Sequence, residues 1–249
     1  PVPSHPQLHG YGHPQYVNVQ YPWDGCEDVK PGQVPEKFNP VSSYVKYFTL
    51  PEHMAGMRIF ISFQGAESGL AVWCNGHYAG YGEDGFTPSE FELTEYLVPG
   101  ENKLAAQVFQ YTNASWMEDQ DFFRFSGIFR EVFLYAVPAV HVRDMKITTP
   151  LADGFASGEV RVALEAAGEG HAALRLYEGE TQIAGSSISL PAESEAVLPV
   201  DHPRLWSAEK PFLYRLSIEV FDASGALTET VRETVGLRRF EIRDGLMLL

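Results

Sequence analysis

The sequence predicts an all-β protein built from two successive β-sandwich domains, and three observations support this prediction. Short runs rich in Val, Ile, Phe and Tyr are separated by turn residues at intervals typical of a sandwich. The 249 residues, 45% of them hydrophobic, suffice for one large β domain or for two ordinary domains. Around Pro138 the aromatic-rich strands give way to a second, evenly spaced series, which favours two domains, residues 1–137 and 138–249.

The first domain opens with about 36 residues rich in Pro, Gly, Tyr and His. We expect them to lie as extended loop rather than to build a sheet, because proline removes backbone donors and fixes φ. Alternating strands are predicted next, within residues 43–50, 57–65, 70–81, 100–109 and 128–137. Asn75-Gly76 predicts a type I′ hairpin turn, since that turn needs positive φ at both central positions. Only residues 89–97 could hold a helical turn.

The second domain shows the spacing of an immunoglobulin-like sandwich. Alternating strands at roughly even intervals are predicted within residues 140–150, 158–168, 171–180, 213–225 and 230–242. This arrangement over about 110 residues is typical of a seven-stranded sandwich. The Cys and Trp pairing of antibody domains is missing, so the prediction concerns the architecture alone.

Charge and cysteine content exclude several classes of function. The formal net charge of −15 argues against a binder of nucleic acid or of anionic membranes, whereas a neutral ligand such as a sugar is compatible with it. Neither a membrane span nor a signal peptide is visible, so we predict a soluble, cytoplasmic protein with Cys26 and Cys74 as free thiols. The start at Pro1 without Met and the apolar ending "DGLMLL" suggest a piece excised from a longer protein.

The segment "WMEDQDFFRFSGIFREV", residues 116–132, concentrates acidic, basic and aromatic side chains. In an extended strand Asp119 and Asp121 share one face about 7 Å apart, which falls within the carboxylate spacing of glycosidases. We favour structural pairing with arginines such as Arg124 and Arg130. Ligand or metal binding and catalysis remain open interpretations.

Other candidate motifs have simple structural interpretations. His5, His9 and His13 recur every four residues, but the surrounding prolines and glycines forbid a helix, so we interpret them as loop histidines rather than metal ligands. The sequon at Asn113 is interpreted as coincidental. No phosphate-binding glycine loop, paired-cysteine zinc motif or nucleophile elbow is present.

The tryptophans could stack on the apolar face of a sugar ring. Trp23, Trp73 and Trp116 are the candidates in the first domain. We favour core packing for Trp73, which sits in an apolar strand. For Trp116, beside the acidic cluster, both interpretations stay open.

Long motifs now point to a family. In chain order they are "VPSHPQLHGYGHPQYVNVQYPW", "NPVSSYVKYFTLP", "VWCNGHYAGYGEDGFTPSEFELTEYL", "GENKLAAQVF" and "EDQDFFRFSGIFREVFL". Together they resemble the N-terminal sugar-binding domain of family 2 β-galactosidases. The later "RLWSAEKPFLYRL" and "VGLRRFEIRDGLMLL" resemble the immunoglobulin-like domain that follows it. The resemblance runs from end to end of the chain.

The resemblance implies a jelly roll, then an immunoglobulin-like sandwich, and in the intact enzyme a (β/α)₈ barrel carrying two catalytic glutamates of a retaining mechanism. We therefore expect a fragment without catalytic residues, inactive alone, whose barrel partner belongs to the same full-length chain. The intact enzyme would hydrolyse terminal, non-reducing β-D-galactosides. Members of the family commonly form dimers or tetramers, so a homo-oligomer is possible.

The resemblance also assigns site residues. Asn18 matches an asparagine that contacts galactose, Val19 lies beside it at the rim, and Asp121 matches an aspartate that hydrogen-bonds the sugar and ligates sodium. The remaining Na⁺ ligands and the Mg²⁺ ligands belong to the barrel, so neither ion is expected to bind this fragment tightly. Residues 23–33 and Phe122-Phe123 depart from the family's best-known member, which bears on the aglycone preference.

Two rival functions remain. A free-standing carbohydrate-binding module would bind sugar without belonging to an enzyme. A fragment of a family 2 β-glucuronidase or β-mannosidase would share the domain order, although "EDQDFFRFSGIFR" favours the galactosidases.

Overall fold

A computed structural model describes residues 1–18, 20–117, 121–191 and 194–249, which form two compact units. Unit 1 is Pro1–Ala136 and unit 2 is Val137–Leu249, so the division falls one residue before the boundary inferred from the sequence. The described ranges contain β-strands and short 3₁₀ helices, which confirms the predicted all-β fold class. Within those ranges, no helix has the length and apolar character needed to cross a membrane.

Unit 1 consists of short and medium strands joined by turns. Its described strands are β1 Gln15–Val17, β2 Val41–Thr49, β3 Arg58–Phe63, β4 Ala66–Glu67, β5 Gly69–Cys74, β6 His77–Gly82, β7 Ser89–Glu92, β8 Glu101–Phe109, β9 Phe122–Arg124, β10 Gly127–Ile128 and β11 Val132–Val137. Its 3₁₀ helices are Pro6–His9, Glu52–Met54, Thr94–Tyr96 and Asn113–Trp116. The stretch 89–97, predicted to hold a helical turn, is thus a strand followed by one 3₁₀ turn.

Two sheets build the sandwich of unit 1. One has the strand order β2-β8-β5-β6 and the other β11-β3-β7, while β1-β9 and β10-β4 form separate two-stranded ladders. Alternate residues of both sheets meet in one core, as the period of two in a strand requires. That core includes Ile61, Phe63, Leu70, Val72, Cys74, Phe91, Ala106 and Val108.

The hairpin predicted at Asn75-Gly76 is confirmed. Both residues have positive φ, 51° and 85°, and they join β5 to β6 where Cys74 pairs with His77. The Asn75 side chain donates to the carbonyl of Tyr96 and accepts from the backbone N–H of Lys103 at 2.8 Å. The turn is therefore fixed to the neighbouring strand as well as by its own backbone preference.

The leading segment largely follows the prediction of extended loop. One exception is β1, because the proline-free residues Gln15–Val17 pair with β9. Trp73 contradicts the favoured prediction of core packing. The neighbouring residues Val72 and Cys74 point into the core, so alternation turns Trp73 to the opposite, half-exposed face of the sheet. Cys26 is exposed, Cys74 is buried, and both are free thiols, as predicted.

Unit 2 is a more regular sandwich. Its described strands are β12 His141–Thr148, β13 Ser157–Ala167, β14 Gly170–Glu178, β15 Thr181–Leu190, β16 Ser194–Asp201, β17 Tyr214–Asp222, β18 Leu227–Val235, β19 Glu241–Arg243 and β20 Leu246–Leu248. One 3₁₀ helix, Asp153–Phe155, precedes β13. Seven strands form the two main sheets, β12-β13-β16 and β15-β14-β17-β18, which is the strand number that the sequence predicted.

The core of unit 2 follows strict alternation. Its members include Val160, Val162, Leu164, Leu174, Leu176, Ala196, Leu198, Leu216, Ile218 and Val220, which come from both sheets. At every second position of the central strands a side chain is removed from water, and the intervening residues are polar or half-exposed. This burial is the main source of stability of unit 2, since apolar burial contributes roughly 25 cal/mol per Å².

Candidate functional site

The ladder between β1 and β9 brings two predicted site residues together. Its register pairs Gln15 with Arg124, Tyr16 with Phe123 and Val17 with Phe122 in antiparallel order. Asn18 directly follows β1 and Asp121 directly precedes β9, so in this antiparallel pair both residues lie at the same end of the ladder. Both residues are exposed. Asn18 and Asp121 thus share one end of the ladder, and their roles in binding stay predictions.

Two aromatic residues extend this end of the ladder. Tyr16 and Phe123 are directly opposite each other, so their side chains share one face, and their ring centroids lie 5.2 Å apart. Each is 52% exposed. We call Tyr16, Asn18, Asp121 and Phe123 the ladder site. It combines an amide, a carboxylate and two accessible rings.

A hydrogen bond orients the carboxylate of the ladder site. The Tyr16 hydroxyl donates to Asp121 Oδ1 at 2.6 Å. The bond and the nearby negative charge raise the pKa of Tyr16 above its usual value, so the hydroxyl remains a donor at neutral pH. Tyr16 thereby holds one oxygen of this carboxylate, Oδ1, at the end of the ladder.

Side-chain hydrogen bonds connect β1 to the sandwich. Gln15 Nε2 donates to the carbonyl of Pro22 at 2.9 Å, and the Tyr111 hydroxyl donates to Gln15 Oε1 at 2.7 Å. Asn39 holds Tyr111 in turn, accepting from its backbone N–H and donating to its carbonyl. Burial raises the pKa of Tyr111 to about 12, so its donor role persists at neutral pH. These bonds position the ladder although β1 has only three residues.

An aromatic cluster anchors the chain that follows β1. Trp23, which is 1% exposed, stacks on Tyr21 at 5.2 Å and meets Trp116 and Tyr111 edge-on at 4.6 and 5.8 Å. Trp116 Nε1 donates to the carbonyl of Gln33 at 2.7 Å. Trp23 and Trp116 therefore both act in packing. Trp116 is half-buried, so stacking of its free face on a sugar stays an open interpretation.

The acidic cluster is only partly visible. Val19, Glu118 and Asp119 lie outside the described residues, so the predicted rim position and the Asp119–Asp121 spacing stay predictions. Arg130 Nη1 donates to the backbone carbonyls of Gln64 and Phe86, and the favoured pairing of the acidic cluster with Arg124 and Arg130 stays a prediction. For Asp121 the described partner is Tyr16 instead.

The histidines and other acids form no complete metal site in the described ranges. Groups of three or more His, Cys, Asp or Glu side chains suited to a metal are absent there. His5 contacts the carbonyl of Ser126 at 3.0 Å and His9 contacts the Ser4 hydroxyl at 2.7 Å, while His13 is exposed. His5 precedes the 3₁₀ helix Pro6–His9 and His9 ends it, so these two histidines lie on a short helical turn rather than in the predicted loop.

Two site residues escaped the sequence reasoning. Tyr16 precedes Asn18 by two positions, so alternation alone predicts that both lie on one face if the segment is a strand. The prolines around it favour a loop instead, so the sequence does not predict this shared face. Tyr111 carried no pattern that distinguished it from an ordinary core aromatic.

Comparison with protein-family models gives a match over both units. The model described as glycosyl hydrolases family 2, sugar binding domain, matches residues 1–138. A second model, described as glycosyl hydrolases family 2, matches residues 140–238.

Curated relatives over the same residues are β-galactosidases. A β-galactosidase of Halalkalibacterium halodurans is 47% identical over 254 aligned residues, and one of Streptococcus thermophilus is 47% identical over 253. Each alignment covers 100% of this chain but 25% of the relative. The chain therefore spans about a quarter of the length of these relatives.

Solved structures share the fold. The apo structure of a β-glucuronidase from Ruminococcus gnavus superimposes with a TM-score of 0.71 and 24% identity, covering 83% of this chain and 37% of that one. The same enzyme in complex with uronic deoxynojirimycin gives a TM-score of 0.71 at 23% identity. At this level of identity the likeness concerns the fold alone.

Proposed function

Because the chain belongs to glycosyl hydrolase family 2, we propose that unit 1 positions a neutral β-D-galactoside through Asn18 and Asp121 for hydrolysis by an intact β-galactosidase. The relatives at 47% identity are β-galactosidases, which supports this choice of sugar. The single observation that supports the proposal is that Asn18 and Asp121 are both exposed at the same end of the β1–β9 ladder.

The chemistry of the ladder site suits sugar hydroxyls. A carboxylate oxygen accepts a hydrogen bond from a hydroxyl, and an asparagine amide can both donate and accept. The Tyr16 hydroxyl occupies Asp121 Oδ1 and thereby fixes the direction in which Oδ2 faces. The ring of Phe123 supplies an apolar surface for the C–H side of a pyranose. We assign no bond-breaking role to any residue of this chain.

The ladder site supplies only part of the ligand set that a sodium ion needs. Asp121 offers a hard carboxylate oxygen, which suits a hard cation. In the described part of the chain it is not accompanied by two further acidic or histidine ligands, so a tight site requires oxygens from elsewhere. We propose that Asp121 contributes one ligand to a Na⁺ ion in the intact enzyme. The expected Mg²⁺ ion is assigned no residue of this chain, and its binding stays a prediction.

One competing sugar, the glucuronide, differs from a galactoside in charge. A glucuronide carries a carboxylate at neutral pH, and the Asp121 carboxylate together with the net charge of −15 opposes its approach. Assaying the full-length protein with nitrophenyl β-galactoside, β-glucuronide and β-mannoside tests the assignment. We expect the galactoside to be the preferred substrate. Preference for either other sugar would overturn it.

Substitutions in the full-length protein test the positioning role. We expect Asp121→Asn and Asn18→Ala each to lower kcat/KM for nitrophenyl β-galactoside roughly 10- to 100-fold, the range for losing a hydrogen bond to substrate. Asp28→Asn and Asn113→Ala serve as matched controls, because both residues are exposed in unit 1 and lie outside the ladder site. Their kcat/KM should stay unchanged.

The isolated 249-residue chain provides a second test. We expect it to release no nitrophenol from nitrophenyl β-galactoside, because the proposal assigns it no catalytic group. Turnover that copurifies with this chain and disappears in Asp121→Asn would contradict the proposal of a non-catalytic fragment.

A further inference from the structure

Unit 1 contains a cleft of about 490 Å³ on the face of its four-stranded sheet that points away from the core. Its volume falls within the roughly 300–1,000 Å³ of small-molecule sites. Trp73, Tyr81 and Phe109 form its walls, while Ala71 and Gln107 form its floor. We call it the Trp73 cleft. It shares no residue with the ladder site.

The strand register explains why a cleft exists here. Ala71 pairs with Gln107 on one side and with Tyr81 on the other, so a small side chain lies between larger ones. Gly69 extends the small floor. A Cβ at that position would lie 2.4 Å from Thr112 Cγ2 and 2.7 Å from the Tyr81 hydroxyl, so glycine is needed to admit both groups.

The polar groups of the cleft are few and fixed. Tyr81 donates to Glu83 Oε1 at 3.1 Å, and burial raises its pKa, which keeps the hydroxyl protonated. Gln107 Nε2 makes a long 3.4 Å contact with the Ser43 hydroxyl, and among the described residues the side-chain oxygen of Gln107 accepts no hydrogen bond. Asn39 also lines the cleft, but Tyr111 engages both ends of its amide. Gln107 is therefore the amide best placed to meet a ligand.

We propose that the Trp73 cleft binds a neutral pyranoside, with the apolar face of the sugar against Trp73 and its hydroxyls directed to Gln107. The proposal goes beyond the function proposed for the ladder site. Aromatic walls with one central amide match a ring that has C–H groups on one side and hydroxyls at its edge. Glu83 beside Tyr81 and the net charge of −15 disfavour a uronate or another anionic ligand.

Titration of the ¹⁵N-labelled protein with methyl β-D-galactopyranoside tests the proposal. The chain has four tryptophans, so four indole N–H signals are expected, and Trp206 in unit 2 serves as an internal reference. We expect the Trp73 signal to shift saturably with a Kd on the order of millimolar, the strength typical of one small sugar ring. The Trp206 signal should stay in place.

Variants assign the binding to the cleft. Trp73→Ala removes the reporting indole, so its affinity is measured by calorimetry, where we expect roughly tenfold weaker binding. Gln107→Leu keeps the volume and the Trp73 signal and should weaken binding roughly three- to tenfold. Tyr47→Ala is the matched control, because Tyr47 is 54% exposed on β2 and does not line the cleft. Asp121→Asn should also leave the Trp73 titration unchanged, which separates this proposal from that of the ladder site.

Three outcomes would overturn the proposal. One is the lack of a saturable Trp73 shift in a well-dispersed spectrum at tens of millimolar sugar. Another is a Trp73 shift that follows protein concentration without sugar, which would show that a second copy covers this face. The third is equal affinity for methyl β-D-glucuronide, since the acidic surroundings require weaker binding of the anion.

Discussion

The two units are both β-sandwiches, but their strands differ in length and regularity. The seven strands of the two main sheets in unit 2 are 8 to 11 residues long and alternate regularly into one core. In unit 1 the strands range from two to nine residues, and the one strand described before Val41 is the three-residue β1. In unit 1, side-chain contacts therefore hold segments in place. In unit 2, the backbone hydrogen bonds of long strands have that role.

The difference explains where the candidate sites occur. Regular strands direct every second side chain into the core and leave the others evenly spread over the surface. The leading segment of unit 1 instead lies against the sandwich, where hydrogen bonds from Tyr111 to Gln15 and Asn39 position it. Such loops present several different polar groups at one place. The ladder site lies on this segment.

Removing Trp23 tests the aromatic anchor of unit 1 and should give the largest effect. Trp23→Ala deletes a side chain that is 1% exposed and contacts three other rings, so we expect a loss of about 3–5 kcal/mol in the free energy of unfolding of unit 1. Guanidinium denaturation followed by far-UV circular dichroism measures it. The transition of unit 2 should keep its midpoint, and a loss in both units would show that the comparison fails.

Deleting a core side chain of unit 2 is the converse test. Leu216→Ala removes a fully buried side chain of β17, and we expect it to cost about 2–5 kcal/mol. The fluorescence of Trp206, the one tryptophan in unit 2, reports its unfolding. At temperatures where the variant is folded, kcat/KM of the full-length protein should stay within twofold of the parent. A larger loss would mean that unit 2 shapes the ladder site.

A matched pair of tyrosines separates stability from function. Tyr111 and Tyr214 are both 1% exposed, and each hydroxyl makes one described hydrogen bond. The Tyr111 hydroxyl donates to Gln15 Oε1, and the Tyr214 hydroxyl accepts from the backbone N–H of Arg204. Substitution of either by Phe should cost about 1 kcal/mol of unfolding free energy. Only Tyr111→Phe should also lower kcat/KM, because its partner belongs to β1. Equal kinetic effects of both variants would contradict the positioning role of Tyr111.

The smallest expected effect concerns pH. Glu27 accepts the backbone N–H groups of Glu36, Lys37 and Phe38, which lowers its pKa. Because folding lowers the pKa of Glu27, its ionised carboxylate stabilises the fold at pH values above the pKa of the unfolded chain, near 4.5. That stability is lost as the pH falls through the pKa of Glu27 in the folded protein. Hydrogen exchange at amides 36–38 should therefore accelerate relative to the global rate below pH 4.5. Glu27→Gln should abolish this pH dependence of exchange. The same pH profile in the parent and in Glu27→Gln would refute the role of Glu27.

Sequence reasoning succeeded where periodicity decides the structure. The alternation in unit 2 predicted a sandwich of seven strands, and Asn75-Gly76 predicted the hairpin, because positive φ at both positions leaves few alternatives. Trp73 was misassigned because an apolar run does not show which face of a strand is covered. The neighbours Val72 and Cys74 fix its direction only once the core is known.

The ladder site was predicted in part. The resemblance identified Asn18 and Asp121, which lie 103 positions apart in the chain (121 − 18). Their shared place at one end of the ladder follows from the register of β1 with β9, which prolines on both sides of β1 made hard to foresee. The role of Tyr16 depends on a hydrogen bond between segments distant in sequence, and no local pattern encodes such a bond.

The central claim is that Tyr16 orients Asp121 toward the sugar, and a double-mutant cycle tests it most directly. In the full-length protein, kcat/KM for nitrophenyl β-galactoside is measured for Tyr16→Phe, Asp121→Ala and the double variant. We expect Tyr16→Phe to lower kcat/KM several-fold in the parent and less than twofold in the Asp121→Ala background, because its acceptor is then missing. An equal fold-reduction of kcat/KM by Tyr16→Phe in the parent and in the Asp121→Ala background would contradict the account.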